Sequence, residues 1–211
     1  MPNPIANRHA FKDAPQHVQD YASPAARVNG PSVYTLQELS HLTDRAETEA
    51  GRCIACKAPA CETTVEDYSL LPGCQLNHPP AWITAMGNND YQAALALHNR
   101  TSQLGLFYGL LCPAPCEDGC TMGPAKGGVG AINIHEAEAT LYSWAIQNGA
   151  LLDSAQDYSS LRNGKRVAII GSGVSGIEAA DVLNRLGFEV HVFEKKEQIG
   201  GILRWEIPNY K

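Results

Sequence analysis

The sequence predicts a mainly α domain followed by the opening βαβ unit of an α/β domain, and three features predict it. Seven cysteines fall between Cys53 and Cys120 among prolines. Stretches of helical period flank them, starting at Thr35, Asp90 and Asn133. From Lys165 the pattern changes to an apolar run, Val167–Ile170, then Gly171-Ser-Gly173-Val-Ser-Gly176, then a second apolar run, Val190–Phe193.

Taken in order, residues 1–34 carry Pro2, Pro4, Pro15, Pro24 and Pro31 with no helical period, which predicts an irregular arm. Residues 35–150 form the helical, cysteine-bearing domain. Thr35-Leu-Gln-Glu38 fits a capping box ahead of Leu36, Leu39 and Leu42. A second helix is expected over Asp90–Asn99, with Ala93, Ala94 and Leu97 on one side. A third covers Asn133–Gln147 and stops at Asn148-Gly149. Trp82, Tyr142 and Trp144 read as core. The cysteines lie among Pro59, Pro72, Pro79, Pro80, Pro113 and Pro115, so they are placed on tight loops rather than in regular structure. Those loops have few apolar anchors, so metal bonds are expected to hold residues 50–140. Residues 151–165, with Asp153, Ser154, Ser159, Ser160, Asn163 and Gly164, read as a polar linker to the α/β part at 166–211.

Length and composition bound the function. A chain of 211 residues holds one or two domains. Its 44% hydrophobic and 18% charged residues suffice for a core and exclude a disordered chain. A formal charge of -6 argues against a nucleic-acid partner, which requires a basic face. No apolar run approaches the roughly 18 residues of a membrane span. The start, MPNPIANRHAFKDAP, lacks the basic flank and apolar core of a signal peptide. A cytoplasmic location is therefore expected, where thiols stay reduced or bind metal. An odd number of cysteines also excludes complete internal pairing.

The cysteine spacings are Cys53-x2-Cys56-x4-Cys61, a lone Cys74, and Cys112-x3-Cys116-x3-Cys120. Each triplet brings three thiolates close enough to grip one centre, and thiolates are the ligands of iron–sulfur clusters. Two four-iron clusters need eight protein ligands, so one oxygen or nitrogen donor is missing. His78, His135, Glu136 and Glu138 are the candidates. Glu138 and His135 sit on a predicted helix, where a solvated position is the plain alternative. A zinc site from Cys53, Cys56, Cys61 and either Cys74 or His78 is the competing reading, but it leaves the second triplet unexplained.

The segment from Val167 to Glu194 has the layout of a Rossmann-type dinucleotide unit. Gly171 permits the tight turn, Gly173 lets backbone approach a pyrophosphate, and Gly176 allows close helix packing. Ser172, Val174 and Ser175 complete the turn and open the helix, whose N-terminus faces the phosphates. Glu194, 23 residues after Gly171, is placed to accept hydrogen bonds from ribose hydroxyls. Its charge would repel a 2′-phosphate, so FAD or NAD is expected rather than NADP. Lys195-Lys196 reads as a solvated turn. Gly127-Gly128-Val-Gly130 is no second fingerprint, since neither a strand nor a matching acid accompanies it. Metal centres followed by a dinucleotide site suggest a relay between one-electron and two-electron carriers. No residue reads as a nucleophile or general acid.

Specific motifs run in order through Arg52-Cys-Ile-Ala-Cys56, Gly73-Cys74, Cys112-Pro-Ala-Pro-Cys116-Glu-Asp-Gly-Cys120, Ile132-Asn-Ile134 and Glu138. They continue through Val167–Gly176, Phe193-Glu194, Gly200-Gly201-Ile-Leu-Arg204 and Ile207-Pro208. In these, residues 50–211 resemble the N-terminal part of the glutamate synthase small-subunit family, whose layout the N-terminal region of dihydropyrimidine dehydrogenase shares. The resemblance implies a two-cluster, α-helical ferredoxin-like domain joined to a Rossmann-type FAD domain. It implies that Cys53, Cys56, Cys61 and Cys120 hold one 4Fe-4S cluster. Cys74, Cys112, Cys116 and Glu138 would hold the other, and Gly171–Gly176, Glu194, Gly200 and Gly201 would bind FAD. The implied function is electron transfer in an NAD(P)H-dependent flavin and iron–sulfur oxidoreductase. Its partner would be a large catalytic subunit or further chain of the same enzyme.

Two departures stand out. Twelve residues, Glu62 to Gly73, separate Cys61 from Cys74, more than the family's usual spacing. The family also extends past residue 211, with the rest of the FAD domain and a separate NADPH domain. The expectation is therefore a truncated piece, a split-gene subunit or an incomplete reading frame, with NADPH bound only through that further region. A two-strand remnant with one helix is expected to be too small for stability alone. The alternatives from other classes are a non-catalytic iron–sulfur carrier and a zinc-stabilised interaction module.

Overall fold

The computed structural model describes residues 48–62, 77–123, 127–153 and 157–207. The predicted arm at 1–34, the Thr35–Glu38 capping box and Cys74 lie outside the described residues. The chain divides into two compact units between Ala150 and Leu151.

The first unit is helical. After helical residues 48–51 and a single 3-10 turn at Ala60–Glu62 come α1 (Pro79–Gly87), α2 (Tyr91–His98) and α3 (Gly105–Leu111). They are followed by α4 (Pro115–Asp118) and α5 (Ile134–Gln147), and α6 (Ala150–Asp153) starts at the unit's last residue. The Asp90 carboxylate caps α2 by accepting from Ala93 N at 2.9 Å, a contribution of about 1 kcal/mol. Cys53, Cys56, Cys112 and Cys120 lie outside helices as expected, but two of the prolines, Pro79 and Pro115, start helices. Pro79 opens α1 and Pro115 opens α4, because a first-turn proline lacks only a hydrogen bond the helix does not use. Cys116 consequently sits within α4 and Cys61 within the Ala60–Glu62 turn, a correction to the all-loop expectation.

The unit also has an apolar core, in which Trp82 and Tyr142 are buried as expected. Trp82, Ile83 and Met86 of α1 meet Ala94 and Leu95 of α2 and Leu141, Tyr142 and Ala145 of α5, all buried. Trp144 is half-buried against Tyr91. Each large apolar side chain so buried contributes about 1.5–3 kcal/mol. α5 is covered on nearly every side, which explains why polar Glu136, Glu138, Thr140 and Ser143 are buried on it too. α3 lies directly against α5 through glycines. A Cβ on Gly109 would stand 2.7 Å from Ala139 Cα, and one on Gly105 would enter the Tyr142 ring.

The second unit contains β1 (Arg166–Ile170), α7 (Val174–Arg185), β2 (Glu189–Phe193) and α8 (Ile202–Trp205). β1 and β2 pair in parallel, from Arg166↔Glu189 to Ile170↔Phe193, and α7 packs on both strands. The apolar run Val167–Ile170 reads in the sequence as a short buried strand, and that burial is not found. β1 alternates exposed and half-buried residues, and Ile170 is 84% exposed. Within the described part of this unit α7 is the main cover, so apolar groups on the sheet meet little else.

Replacing Gly109 with alanine should force α3 off α5 and cost about 1–3 kcal/mol, seen as a lower urea midpoint. Gly51→Ala, which meets nothing within 4 Å, should leave the midpoint in place. Equal effects of the two would contradict the packing account.

Candidate metal centres and dinucleotide loop

Two cavities in the helical unit gather the predicted ligands. The first is lined by Cys53, Cys56, Cys61 and Cys120, with Ile83, Met122, Ile132 and Ile134 among its apolar walls. Burial, with smaller contributions from the neighbouring thiols, pushes the Cys53 thiol up to about 11 and the Cys61 thiol up to about 12. Four soft sulfur donors around a dry wall suit an iron–sulfur centre, whose positive irons would offset the cost of deprotonating them. Among the described residues, no group of three or more His, Cys, Asp or Glu is drawn together around a single ion. His78, a candidate for the missing ligand, is not on this wall; its ring stands 3.4 Å from Glu62 and is largely exposed.

The second cavity is lined by Cys112, Cys116 and Glu138, together with Asn77, Ser102, Tyr108 and His135. Cys112 caps the end of α3, Cys116 rides on α4 and Glu138 projects from α5. Three chain segments thus converge, and the donor set mixes two thiols with a carboxylate. Of the four non-cysteine candidates, His135 and Glu138 reach this cavity, whereas Glu136 is buried and pairs with Asn133 Nδ2 at 3.4 Å. His135 is already engaged. Its Nδ1 lies 2.6 Å from Glu117 Oε1, and that hydrogen bond raises its basicity. Glu138 is buried rather than facing water.

The two triplets share a local device. Ala55, between Cys53 and Cys56, and Ala114, between Cys112 and Cys116, both have left-handed backbone, at φ 45 and φ 54. This conformation is costly for a residue with a Cβ. In each case the alanine N–H also faces the sulfur two residues back. The Ala114 N–H donates to Cys112 Sγ at 3.4 Å, and the Ala55 N–H favours the Cys53 thiolate. Such N–H···S bonds tune cluster potentials.

Arg52 anchors the first cavity, a role the residue's place beside Cys53 did not reveal. Its buried guanidinium pairs with Glu49 at 2.8 Å and donates to the carbonyls of Gly130 and Ala131. Glu49 also accepts from Asn133 N at 3.3 Å. The Cys53 loop is thereby tied to the start of α5.

In the second unit, Gly171, Ser172, Gly173, Glu194 and Gly201 line one open pocket at the carboxyl ends of β1 and β2. Gly200 N donates to Ser172 O at 3.0 Å. Val174, Ser175 and Gly176 form the first turn of α7 rather than the pocket wall. Gly171 has φ 96, which glycine alone adopts freely, and a side chain on Gly176 would collide with Gly171 O. Glu194 does more than wait for a ribose. It accepts from Ser172 N at 2.9 Å, from the Ser172 hydroxyl, and from Lys196 N at 2.9 Å. These bonds, the Ser172 hydroxyl first, lower its carboxyl from the ordinary 4.5 to about 2. Lys195 and Lys196 are exposed as expected, with the Lys196 ammonium 4.7 Å over the Trp205 ring.

The helical part matches the family described as dihydropyrimidine dehydrogenase domain II, 4Fe-4S cluster, over residues 34–150. Residues 166–204 match the pyridine nucleotide-disulphide oxidoreductase family. The small chain of glutamate synthase [NADPH] from Bacillus subtilis is 33% identical over 169 residues, 80% of this chain and 33% of that protein. Glutamate synthase [NADH] from Schizosaccharomyces pombe is 31% identical over 209 residues, 99% of this chain and 9% of that protein. The small chain from Halomonas elongata is 30% identical over 213 aligned positions, 100% of this chain and 42% of that protein. The chain thus spans less than half the length of each of these relatives. No helix among the described residues is long and apolar enough to cross a membrane.

A depressed carboxyl keeps its donors in place above its ordinary 4.5 and loses them only as pH falls through about 2. The Ser172 amide shift in NMR should therefore stay flat from pH 7 to 4. An inflection near 4.5 would contradict the pinning of the glycine loop by Glu194.

Proposed function

The chain belongs to the dihydropyrimidine dehydrogenase domain II, 4Fe-4S cluster family, and from that premise we propose that it is an electron-transfer module of a flavin-dependent oxidoreductase of glutamate synthase small-subunit type. The observation that carries this reading is the sorting of the predicted ligands into two cavities. Cys53, Cys56, Cys61 and Cys120 line one, and Cys112, Cys116 and Glu138 line the other.

Cys53, Cys56, Cys61 and Cys120 would hold one 4Fe-4S cluster of a two-cluster, ferredoxin-like domain at 35–150. Cys112, Cys116, Glu138 and Cys74 would hold the second. Gly171–Gly176, Gly200, Gly201 and Glu194 would hold FAD in a Rossmann-type unit at 166–211, joined through a linker at 151–165. Clusters supply one-electron carriage and a flavin converts electron pairs to single electrons; the protein sets their positions and potentials. Arg52, the Ala55 and Ala114 N–H groups and the apolar walls keep each thiolate set in place and dry. Glu194 orders the loop that meets the pyrophosphate and retains lone pairs for a ribose hydroxyl.

Electron delivery by NAD(P)H is assigned to residues beyond this βαβ unit. The receiving active site would belong to a large catalytic chain or to another part of the same enzyme. A reducing, cytoplasmic setting keeps the thiolates available for iron.

Anaerobic purification with iron and acid-labile sulfide determination tests the reading. Iron and sulfide should each be about eight per chain, falling by about half in Cys53→Ser and in Cys116→Ser. Zinc without sulfide, or iron content unchanged in both variants, would overturn it.

A further inference from the structure

We infer that His98, with Asn77, is a positioning residue that fixes the Glu138 carboxylate toward the second cavity and sets the reduction potential of the centre held there. This deepens the proposed function and rests on the reading of Glu138 as a ligand.

Glu138, His98 and Asn77 converge, with Asn77 Nδ2 also 3.0 Å from His98 Nε2. His98 is fully buried at the end of α2, and its Nε2 stands 2.6 Å from Glu138 Oε1. A carboxylate that serves as a ligand only accepts, so in that role Nε2 would donate to it. The Trp82 indole N–H, which can only donate, gives to Asn77 Oδ1 at 2.8 Å. That fixes the Asn77 amide with Nδ2 outward, donating to the same Glu138 Oε1 at 3.1 Å. The other face of the imidazole is held as well. Nδ1 lies 3.0 Å from the Tyr142 hydroxyl, which itself lies 2.6 Å from Asn99 Oδ1.

One carboxylate oxygen therefore takes both donors. Among the described residues none hydrogen-bonds Glu138 Oε2, the oxygen left for the cavity that Cys112 and Cys116 share. An unclamped glutamate on α5 would rotate about its side-chain bonds and present either oxygen. Two charge-assisted donors to Oε1 remove that freedom and draw electron density from the carboxylate. Partners behind a ligand are known to orient it and tune its metal. A less electron-rich ligand favours the reduced, more negative state of the centre, so losing the His98 bond should make reduction harder.

The test is an EPR-monitored redox titration of the anaerobically purified chain. In His98→Phe the centre that depends on Cys116 should shift to more negative potential while the centre that depends on Cys53 stays put. His98→Gln, whose amide can reach as a donor, should restore most of the shift. Because a buried histidine can matter for folding, Asn77→Ala provides a second arm and should shift the same centre the same way. Unmoved potentials in loaded His98→Phe, or loss of both centres in it with an unmoved potential in Asn77→Ala, would overturn the inference. Glu138→Ala separates the two levels. If it alters the Cys116-dependent centre while the His98 and Asn77 variants do not, only the clamp fails. If it leaves both centres unmoved, Glu138 is no ligand and the underlying reading fails with it.

Discussion

The contact between α3 and α5 is the constraint on which the metal-binding half depends. Gly109 lets the backbone of α3 rest on Ala139, one residue from Glu138. Cys112 ends the same helix three residues later, so the close approach brings a thiol and a carboxylate to one cavity. α4 then packs on the Ala60–Glu62 turn, and the chain leaving it carries Cys120 to the other cavity beside Cys61. A run of three evenly spaced cysteines is thereby divided between two sites by packing, with Arg52 holding the entry to α5 in register.

What was legible in the sequence was whatever is encoded locally. The helix over Tyr91–His98 starts after an Asp90 that caps it, and the helix over Ile134–Gln147 stops ahead of Gly149 at φ 69. The βαβ order and the place of Glu194 were equally readable, since a strand, a glycine turn and an acid at fixed distance are all near neighbours. The prolines misled because their meaning depends on position: the same residue that breaks a helix interior opens α1 and α4. His98, Asn77, Glu117 and Arg52 were missed for a different reason. Their partners lie 18 to 79 residues away, and nothing in a local window distinguishes a C-terminal helix histidine from a solvated one.

The second unit shows the opposite balance of forces. Its strands bury little, so polar bonds order the loop: Ser172 to Glu194, Gly200 to Ser172, and Gly171 N to Phe193 O. Glu194 serves structure before it serves any ligand, which is why its carboxyl stays ionised far below the ordinary range. Exposed Ile170, Phe193, Ile199 and Ile202 leave this unit with apolar surface uncovered by its own described residues. The helical unit, by contrast, carries a buried core and a fully enclosed polar relay from Trp82 through Asn77, Glu138 and His98 to Tyr142.

If packing, not sequence order, assigns the cysteines, Cys120 serves with Cys53 rather than with Cys116. Low-temperature EPR of the reduced Cys53→Ser, Cys116→Ser and Cys120→Ser variants tests it most directly. The account predicts that Cys53→Ser and Cys120→Ser lose the same signal while Cys116→Ser loses the other. Loss of one common signal in Cys116→Ser and Cys120→Ser, with the Cys53→Ser signal distinct, would contradict it.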